Sequence, residues 1–191
     1  MKKLTFFFWI SLVSLSTVNA QDDAAMMKAW TDYMTPGEMH KWMAQSSGTW
    51  TGDINTYMDP ASPTKSKASA TVKMMYNGLY QVSDYTGNMM GQPFEGHGIL
   101  AYDNAKQQFV NTWIDNMGSG VVYMTGQYDP KTKTLHLKGT QSDPMTKKDA
   151  FIRQEVHFLN DNTQMMTMYG PGADGKEMKM MDIKMIRAQK Q

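Results

Sequence analysis

The residues with the clearest capacity for chemistry are Trp113 and Asp115, which lie in the segment QQFVNTWIDNMGSGVVYM at 107–124. The segment predicts a strand, a glycine-rich reversal and a second strand. Because side chains alternate along a strand, Trp113, Asp115 and Asn111 share one face. An indole that stacks and a carboxylate that accepts hydrogen bonds can together hold a small ligand. These three residues, with Met124 on the returning strand, are therefore candidate ligand-binding residues.

Asp115 also has a purely structural interpretation. An aspartate beside a turn commonly accepts hydrogen bonds from nearby backbone N–H groups, here those around Gly118–Gly120. In that case Trp113 belongs to the core and the carboxylate only holds the reversal in shape. The pattern favours the turn, and the pocket stays the alternative.

The histidines form a second set of candidates: His40, His97, His136 and His157. None has the spacing of a metal-binding pair to another, so no metal site is predicted. His97 stands between two glycines, where the backbone can approach a ligand closely, and it is the fifth ligand-binding candidate. A haem-binding barrel needs one histidine in its lumen, and His97 or His157 is the alternative for that role. His40 falls on a helix and is expected to be exposed.

Sequence signatures of catalysis are absent. The chain contains no Gly-x-Ser-x-Gly, no phosphate loop and no dinucleotide fingerprint. We therefore predict no catalytic residue and no cofactor, and we favour a protein that is not an enzyme. The alternative is a hydrolase or isomerase that uses Asp115 or His97.

Methionine is unusually frequent, with 21 in the chain. Alternating sets such as Met166-Thr167-Met168 and Met178-Lys179-Met180 place two thioethers on one strand face, which is a soft ligand set suited to Cu(I). Adjacent pairs point to opposite faces and cannot share an ion. Since methionine fills irregular cores and adaptable pockets well, we favour a lining role and keep Cu(I) binding as an alternative.

The N-terminus has the pattern of an export signal. Lys2 and Lys3 precede an apolar run from Leu4 to Leu15, which is short for a membrane span. Val18-Asn19-Ala20 then offers small residues for signal-peptidase cleavage after Ala20. We expect residues 1–20 to be a signal peptide, the mature protein to be periplasmic or secreted, and no stable membrane insertion after cleavage.

The amino-acid composition excludes several further kinds of site and partner. The chain has no cysteine, which excludes disulfides, thiol nucleophiles and cysteine-based zinc sites. Loss of Lys2 and Lys3 would change the formal charge from +1 to −1, and the charges are scattered. A nearly neutral surface of this kind does not predict a nucleic-acid partner. The length of 21–191 suits a single domain.

The elements that must position these residues are short strands. From Thr49 onward, alternating runs are broken by turn residues such as Asn77-Gly78, Asp129-Pro130 and Asp174-Gly175. The pattern predicts ten strands, near 49–58, 67–76, 79–88, 94–102, 108–116, 121–128, 134–140, 150–159, 163–169 and 177–187. We therefore predict an all-β fold, an antiparallel meander of about ten strands that closes into a β-barrel and so loses its edges. The alternative is closure into a two-sheet sandwich.

Two helices are predicted before the strands. The first covers 22–34, with Met26, Met27 and Trp30 at helical spacing. The second begins at Thr35-Pro36-Gly37-Glu38, where Thr35 is the expected N-cap and Glu38 completes a capping box. We expect the region 22–47 to cap one end of the barrel.

Four segments carry a family resemblance: GTWTG at 48–52, GQPFEGHGILAYDN at 91–104, FVNTWIDNMGSG at 109–120 and EMKMMDIKMIR at 177–187. Together they resemble the bacterial family catalogued as domain of unknown function 1579, over about Lys41 to Arg187. The resemblance implies a lipocalin-like barrel in a secreted setting, and it implies no activity. The Gly-x-Trp of the first strand is similar to that of lipocalin and calycin barrels, which implies that Trp50 is buried at the closed end.

The function that these patterns favour is binding of a small apolar molecule in the barrel lumen. A structural or interaction barrel with a filled lumen is a further alternative, and the size of the cavity separates the two. The sequence leaves the oligomeric state open.

Overall fold

The fold was analysed in a computed structural model, which describes residues 17–59, 62–89, 91–172 and 174–188. The chain divides into two compact units, Met1–Tyr33 and Met34–Gln191. Most of the predicted signal peptide, residues 1–16, lies outside the described residues. The predicted cleavage site after Ala20 lies in the first turn of the first helix.

The described residues form two helices, a short 3₁₀ turn (Tyr76–Gly78) and ten strands. The helices are α1 (Thr17–Met34) and α2 (Glu38–Ala44). The strands are β1 (Gly48–Thr56), β2 (Thr64–Met75), β3 (Tyr80–Met89), β4 (Gln92–Asp103), β5 (Gln108–Asp115), β6 (Val122–Asp129), β7 (Thr134–Asp143), β8 (Lys148–Asn160), β9 (Thr163–Pro171) and β10 (Glu177–Arg187). No helix in these ranges is both long enough and apolar enough to cross a membrane.

The ten strands form one closed antiparallel barrel. Each strand pairs with the next along the chain, and β1 pairs with β10 to close the sheet, with Ile54 opposite Ile183. Closure pairs the backbone groups that an open sheet would leave at its edges. The predicted fold class, an all-β meander of about ten strands closed into a barrel, is confirmed.

The hairpin between β2 and β3 shows why particular residues stand at the turns between strands. Asn77 has φ 59° and Gly78 has φ 89°, so both occupy the left-handed region. Glycine and asparagine reach this region at lower cost than other residues. The reversal predicted at Asn77-Gly78 is therefore present, as a 3₁₀ turn over Tyr76–Gly78.

Two buried clusters hold the barrel together. One lies on β1, β2 and β10 and contains Trp50, Ile54, Ala68, Ala70, Val72, Ile183 and Met185. The other joins α2 to the strands opposite and contains Met43, Phe109, Met124, Leu135, Leu137 and Ile152. Helix α2 contributes Met43 to the second cluster, and Met39 and Trp42 of the same helix pack against it.

Helix α2 caps one end of the barrel, as predicted. The ring of Trp42 packs against Tyr128, Phe158 and Phe109, with centroids 4.4, 4.7 and 5.4 Å away. Met43, beside it, is only 1% exposed. The helix α1 belongs to the other unit, so capping by residues 22–34 stays a prediction.

The start of α2 differs from the prediction. The helix begins at Glu38, and Gly37, not Thr35, is the N-cap. The backbone N–H of Gly37 donates to His40 Nδ1 at 3.0 Å, so a histidine takes the part expected of Glu38. His40 is also buried, not exposed, and its burial lowers its pKa. A neutral imidazole keeps the lone pair that accepts the capping bond, which explains the arrangement.

Candidate binding site in the barrel lumen

The barrel encloses an open lumen of about 560 Å³, lined by residues from all ten strands and by Trp42 of α2. This volume falls in the range of small-molecule sites, which is about 300–1,000 Å³. The lumen is therefore not filled by side chains. The cavity is closed at one end by α2 and opens at the other, where β1, β3 and β5 end.

The open end is bordered by long, soft side chains. Met58 and Met117 lie on its rim and are 78% and 45% exposed. Tyr57, Met89 and Met178 also line the lumen at this end. Because methionine has three rotatable bonds, this rim can adjust to the shape of an entering molecule.

Methionine is frequent in the wall as well as at the rim. Ten methionines among the described residues line the lumen: Met58, Met89, Met117, Met124, Met166, Met168, Met178, Met180, Met181 and Met185. Alternation predicts shared faces for Met166 and Met168 and for Met178 and Met180, and all four line the cavity. Met181 also does, because a register shift between Lys179 and Met181 interrupts the alternation of β10.

Trp113 lies flat against the wall because two glycines make room for it. A Cβ atom at Gly96 would clash with the indole, and one at Gly98 would lie 3.2 Å from its Cε3. Tyr85 meets the indole edge-on at a centroid distance of 5.3 Å, and Phe94 lies nearly parallel to it at 6.3 Å. The sheet therefore fixes an aromatic surface on the side of the lumen.

Asp115 has both of the roles that the sequence left open. Its Oδ2 accepts a hydrogen bond of 2.7 Å from Trp113 Nε1. Its Oδ1 accepts one of 2.9 Å from the backbone N–H of Met117, two residues ahead, as aspartates at turns often do. The turn donor is thus Met117, not Gly118–Gly120. The same carboxylate orients the indole and lines the lumen.

The other two lumen candidates lie opposite each other on the same hairpin. Asn111 of β5 pairs with Met124 of β6, and both line the cavity. Met124 is buried and belongs to the cluster beneath α2, whereas Asn111 is half-buried. The structure therefore brings Trp113, Asp115, Asn111 and Met124 into one site, and their role in ligand binding stays a prediction.

A known protein family matches most of the chain. A model of the family described as "Protein of unknown function (DUF1579)" matches residues 35–187. The chain belongs to this family. No curated protein sequence matches the chain.

Two solved structures show the same barrel as this DUF1579 protein. Rv2717c from M. tuberculosis has a TM-score of 0.62 and 10% identity, and the match covers 81% of this chain and 100% of that one. The S-type phycobiliprotein lyase CPES from Guillardia theta has a TM-score of 0.54 and 10% identity, covering 80% and 94%. At this identity the likeness concerns the fold, and it confirms the lipocalin-like barrel.

His97 lies on the other face of the wall of the DUF1579 barrel. Because Gly96 and Gly98 face the lumen, alternation turns His97 outward, where its Nδ1 lies 2.6 Å from Asp84 Oδ1. His157 likewise contacts Thr134, at 2.8 Å from its Nδ1, and it does not line the cavity. Among the described residues no histidine borders the lumen, and no three His, Asp or Glu residues form a metal-binding group.

Sequence reasoning missed several residues of the site, chiefly Tyr85, Phe94 and Trp42. Tyr85 lies directly opposite Gly96 on the neighbouring strand, and Phe94 precedes Gly96 by two positions on one face. The two-residue spacing of small and aromatic side chains was the available signal. Burial in this aromatic group raises the pKa of the Tyr85 phenol.

Proposed function

We propose that this DUF1579 barrel binds a small, largely apolar molecule in its lumen. The observation that carries the proposal is the open cavity of about 560 Å³ whose lining is rich in methionine and aromatic side chains. Burial of apolar surface is the main driving force for such binding. The methionines let one cavity fit ligands of different outline.

The aromatic side chains of the wall would supply flat contact surfaces. They lie along the whole length of the lumen, from Trp42 at the closed end to Tyr57 at the rim. The others are Tyr85, Phe94, Trp113 and Phe158. Rings in this arrangement stack on conjugated or cyclic ligands with directional preference.

Polar groups near the closed end are already used by the protein. Gln81 Nε2 donates to the carbonyl of Met43 at 2.6 Å, and Gln164 Nε2 donates to Ser46 Oγ at 3.0 Å. These bonds tie α2 and its C-terminal segment to the wall. The deep part of the lumen therefore presents mostly apolar surface to a ligand.

The catalytic alternative finds less support in this geometry. Asp115 faces the lumen and His97 faces outward on the neighbouring strand, so the two candidates lie on opposite faces of the wall. An acid–base mechanism needs two groups that reach the same substrate. Haem binding through His97 or His157 also loses support, because neither histidine lines the lumen.

The Cu(I) alternative keeps one observation in its favour. Met166, Met168, Met178 and Met180 all line the lumen. Thioether sulfurs are ligands that select Cu(I) over harder ions. A copper ion would be recognised directly by its mass in the experiment below.

We also propose that the protein is exported. The support is the basic start, the short apolar run and the Val18-Asn19-Ala20 pattern. N-terminal sequencing of the protein recovered from its native cells tests this. A mature chain that begins at Gln21 is the expected result, and a chain that begins at Met1 would contradict it.

The binding proposal is tested with a neutral fluorescent probe, N-phenyl-1-naphthylamine, whose emission rises in apolar surroundings. The variant Asn111→Trp fills the lumen, and Thr112→Trp places the same ring on the outer face of the same strand. We expect the wild type and Thr112→Trp to bind the probe alike. Asn111→Trp should weaken binding by about tenfold or more, since a tenfold change needs only about 1.4 kcal/mol.

A second lumen variant, Gln154→Trp on β8, guards against misfolding of the first, and circular dichroism establishes which variants fold. Native mass spectrometry of protein purified from its own cells should show an organic ligand of small mass. Probe binding that is equal in the wild type and in both folded lumen variants would contradict the proposal. A copper mass in its place would support the Cu(I) alternative.

A further inference from the structure

We infer that the lumen discriminates between head groups: it accepts neutral or cationic amphiphiles and rejects carboxylates, with the polar end of the ligand at Asp115. This inference rests on the proposed function, because it names the class of molecule that the lumen would bind. It follows from the distribution of charge in the wall and from the position of one carboxylate near the open end.

Among the described residues, the lining of the lumen is charged at a single position. Of the described residues that line the lumen, Asp115 alone has a formally charged side chain, and none is lysine, arginine or histidine. A ligand carboxylate would therefore enter an apolar cavity that contains a negative charge and no cation. Burial of an anion without a cationic partner is strongly unfavourable.

Arg187 and Lys179, two cations of β10, do not line the lumen and are engaged by other residues. Arg187 stacks on Trp50 at the closed end and donates to the carbonyls of Ser47 and Gln45. Lys179 donates to Asp182 Oδ2 at 2.8 Å and lies over the ring of Tyr57. These bonds hold both side chains in place and away from a ligand in the cavity.

Asp115 keeps acceptor capacity after its own bonds are counted. Each of its oxygens accepts one hydrogen bond, from Trp113 and from Met117. A carboxylate offers about four acceptor sites, so roughly two remain for a ligand. An ammonium or hydroxyl group placed there can donate to Asp115.

The aromatic neighbour strengthens the preference for a cation. Trp113 is held against the wall by Gly96 and Gly98 and lines the lumen next to Asp115. A cation over an indole face is attracted by the negative face of the ring. Asp115 and Trp113 together form a polar and aromatic end, while the methionine-rich wall accepts an apolar tail.

The test uses three ligands with the same ten-carbon chain: decylammonium, decanol and decanoate. Each displaces N-phenyl-1-naphthylamine from the wild type at near-neutral pH and below its micelle concentration. We expect the ammonium to displace the probe best, decanol next, and decanoate about tenfold or more weakly than decanol. Decanoate that competes as well as decanol would overturn the inference and leave lumen binding intact.

Two variants locate the effect. Asp115→Asn removes the lumen charge and keeps an acceptor for the turn, and Asp84→Asn removes the same charge from the outer face. Asp115→Asn should abolish the advantage of the ammonium over decanol, while Asp84→Asn should preserve it. Equal effects of the two variants would overturn the assignment to Asp115.

Asp115→Ser provides the uncharged comparison if Asp115→Asn folds poorly, because serine also accepts a hydrogen bond at a turn. Failure of the wild type to bind the neutral probe at all would overturn the proposed function, and the head-group inference with it. Probe binding without head-group discrimination overturns the head-group inference alone.

Discussion

The two ends of the barrel are built on different principles. At the closed end, Trp50 is 2% exposed, donates its indole N–H to the carbonyl of Ser46 at 2.9 Å, and has the guanidinium of Arg187 over its ring. At the open end, Met58 and Met117 reach into solvent and make a soft border. One end is fixed by directed bonds, and the other is adaptable.

The closed end of the barrel therefore contributes mainly to stability, and the open end is suited to recognition of a ligand. Close packing with satisfied hydrogen bonds stabilises one geometry and resists change. Flexible thioethers contribute apolar contact and specify no single shape. The Trp113–Asp115 pair is the exception to this flexibility in the open half, because a hydrogen bond holds its two side chains together.

The largest effect should come from breaking the closed end. Trp50→Ala removes a buried aromatic ring and its contacts with Ser46 and Arg187. It should lower the free energy of unfolding by about 3–5 kcal/mol. Met58→Ala at the open rim is the matched control and should change it by less than about 0.5 kcal/mol. Urea titration of both variants measures the difference. A loss below about 1 kcal/mol for Trp50→Ala would contradict the assignment of the closed end as the rigid one.

A second effect concerns the charged cluster around Asp182. Asp182 is buried and accepts hydrogen bonds from Asn55, Tyr57 and Lys179. Burial by itself would raise the pKa of Asp182, but these three bonds outweigh it and hold the pKa below its usual 3.8. Asp182→Asn should lower the free energy of unfolding at neutral pH by about 1.5–3 kcal/mol.

The pH dependence of that effect has a defined sign. A carboxyl whose folded pKa is depressed stabilises the protein above its unfolded pKa and loses this contribution as the pH falls through the folded value. The difference in the free energy of unfolding between wild type and Asp182→Asn should therefore have its full value above pH 3.8 and decrease progressively below it. Denaturant curves over this range measure it, and a gap independent of pH would contradict the assigned role.

A third substitution tests whether the open half has a rigid wall. Gly96→Ala places a methyl group against the indole of Trp113, which cannot move without breaking its bond to Asp115. We expect a loss of about 1–3 kcal/mol and a changed near-UV circular dichroism signal from tryptophan. Gly118→Ala, where a methyl group meets open space, is the control. An unchanged spectrum in Gly96→Ala would show that the indole is mobile.

The smallest effect is expected at Asp115, where two substitutions distinguish the role of its charge from that of its acceptor oxygens. Asp115→Ala removes the acceptor for both Trp113 and Met117 and should cost about 0.5–2 kcal/mol, by analogy with lost helix caps. Asp115→Asn keeps an acceptor oxygen and should cost less. Thermal unfolding followed by circular dichroism compares the two. An equal loss for Asn and Ala would show that the negative charge of Asp115, and not its acceptor oxygen, stabilises the fold.

Much of the strand pattern was predictable, and its errors have a common cause. The strand predicted at 108–116 corresponds to β5 (Gln108–Asp115), whereas β2 begins at Thr64 and β8 at Lys148, before the predicted 67 and 150. The added residues are polar and carry no hydrophobic alternation. They are strand because a neighbour pairs with them, as Thr56 does with Thr64.

The site itself was predicted in part. Asn111, Trp113, Asp115 and Met124 belong to one hairpin, so local alternation and register place them on one face. His97 failed as a lumen residue because its orientation depends on which face of β4 turns inward, and Gly96 and Gly98 take that face. The glycines that flank it marked the position of Trp113, not a place for a ligand at His97.

The sequence by itself determined the number of strands, their antiparallel order and which side chains share a face, because these depend on period-two alternation and on turn residues that act over a few positions. Only the tertiary structure decided which face lies inside, which end is closed, and that Asp115 serves the turn and the indole together. These features depend on the pairing of β1 with β10 and on the packing of α2, between segments far apart in the chain. No local pattern encodes such contacts, because they exist only once the barrel has closed.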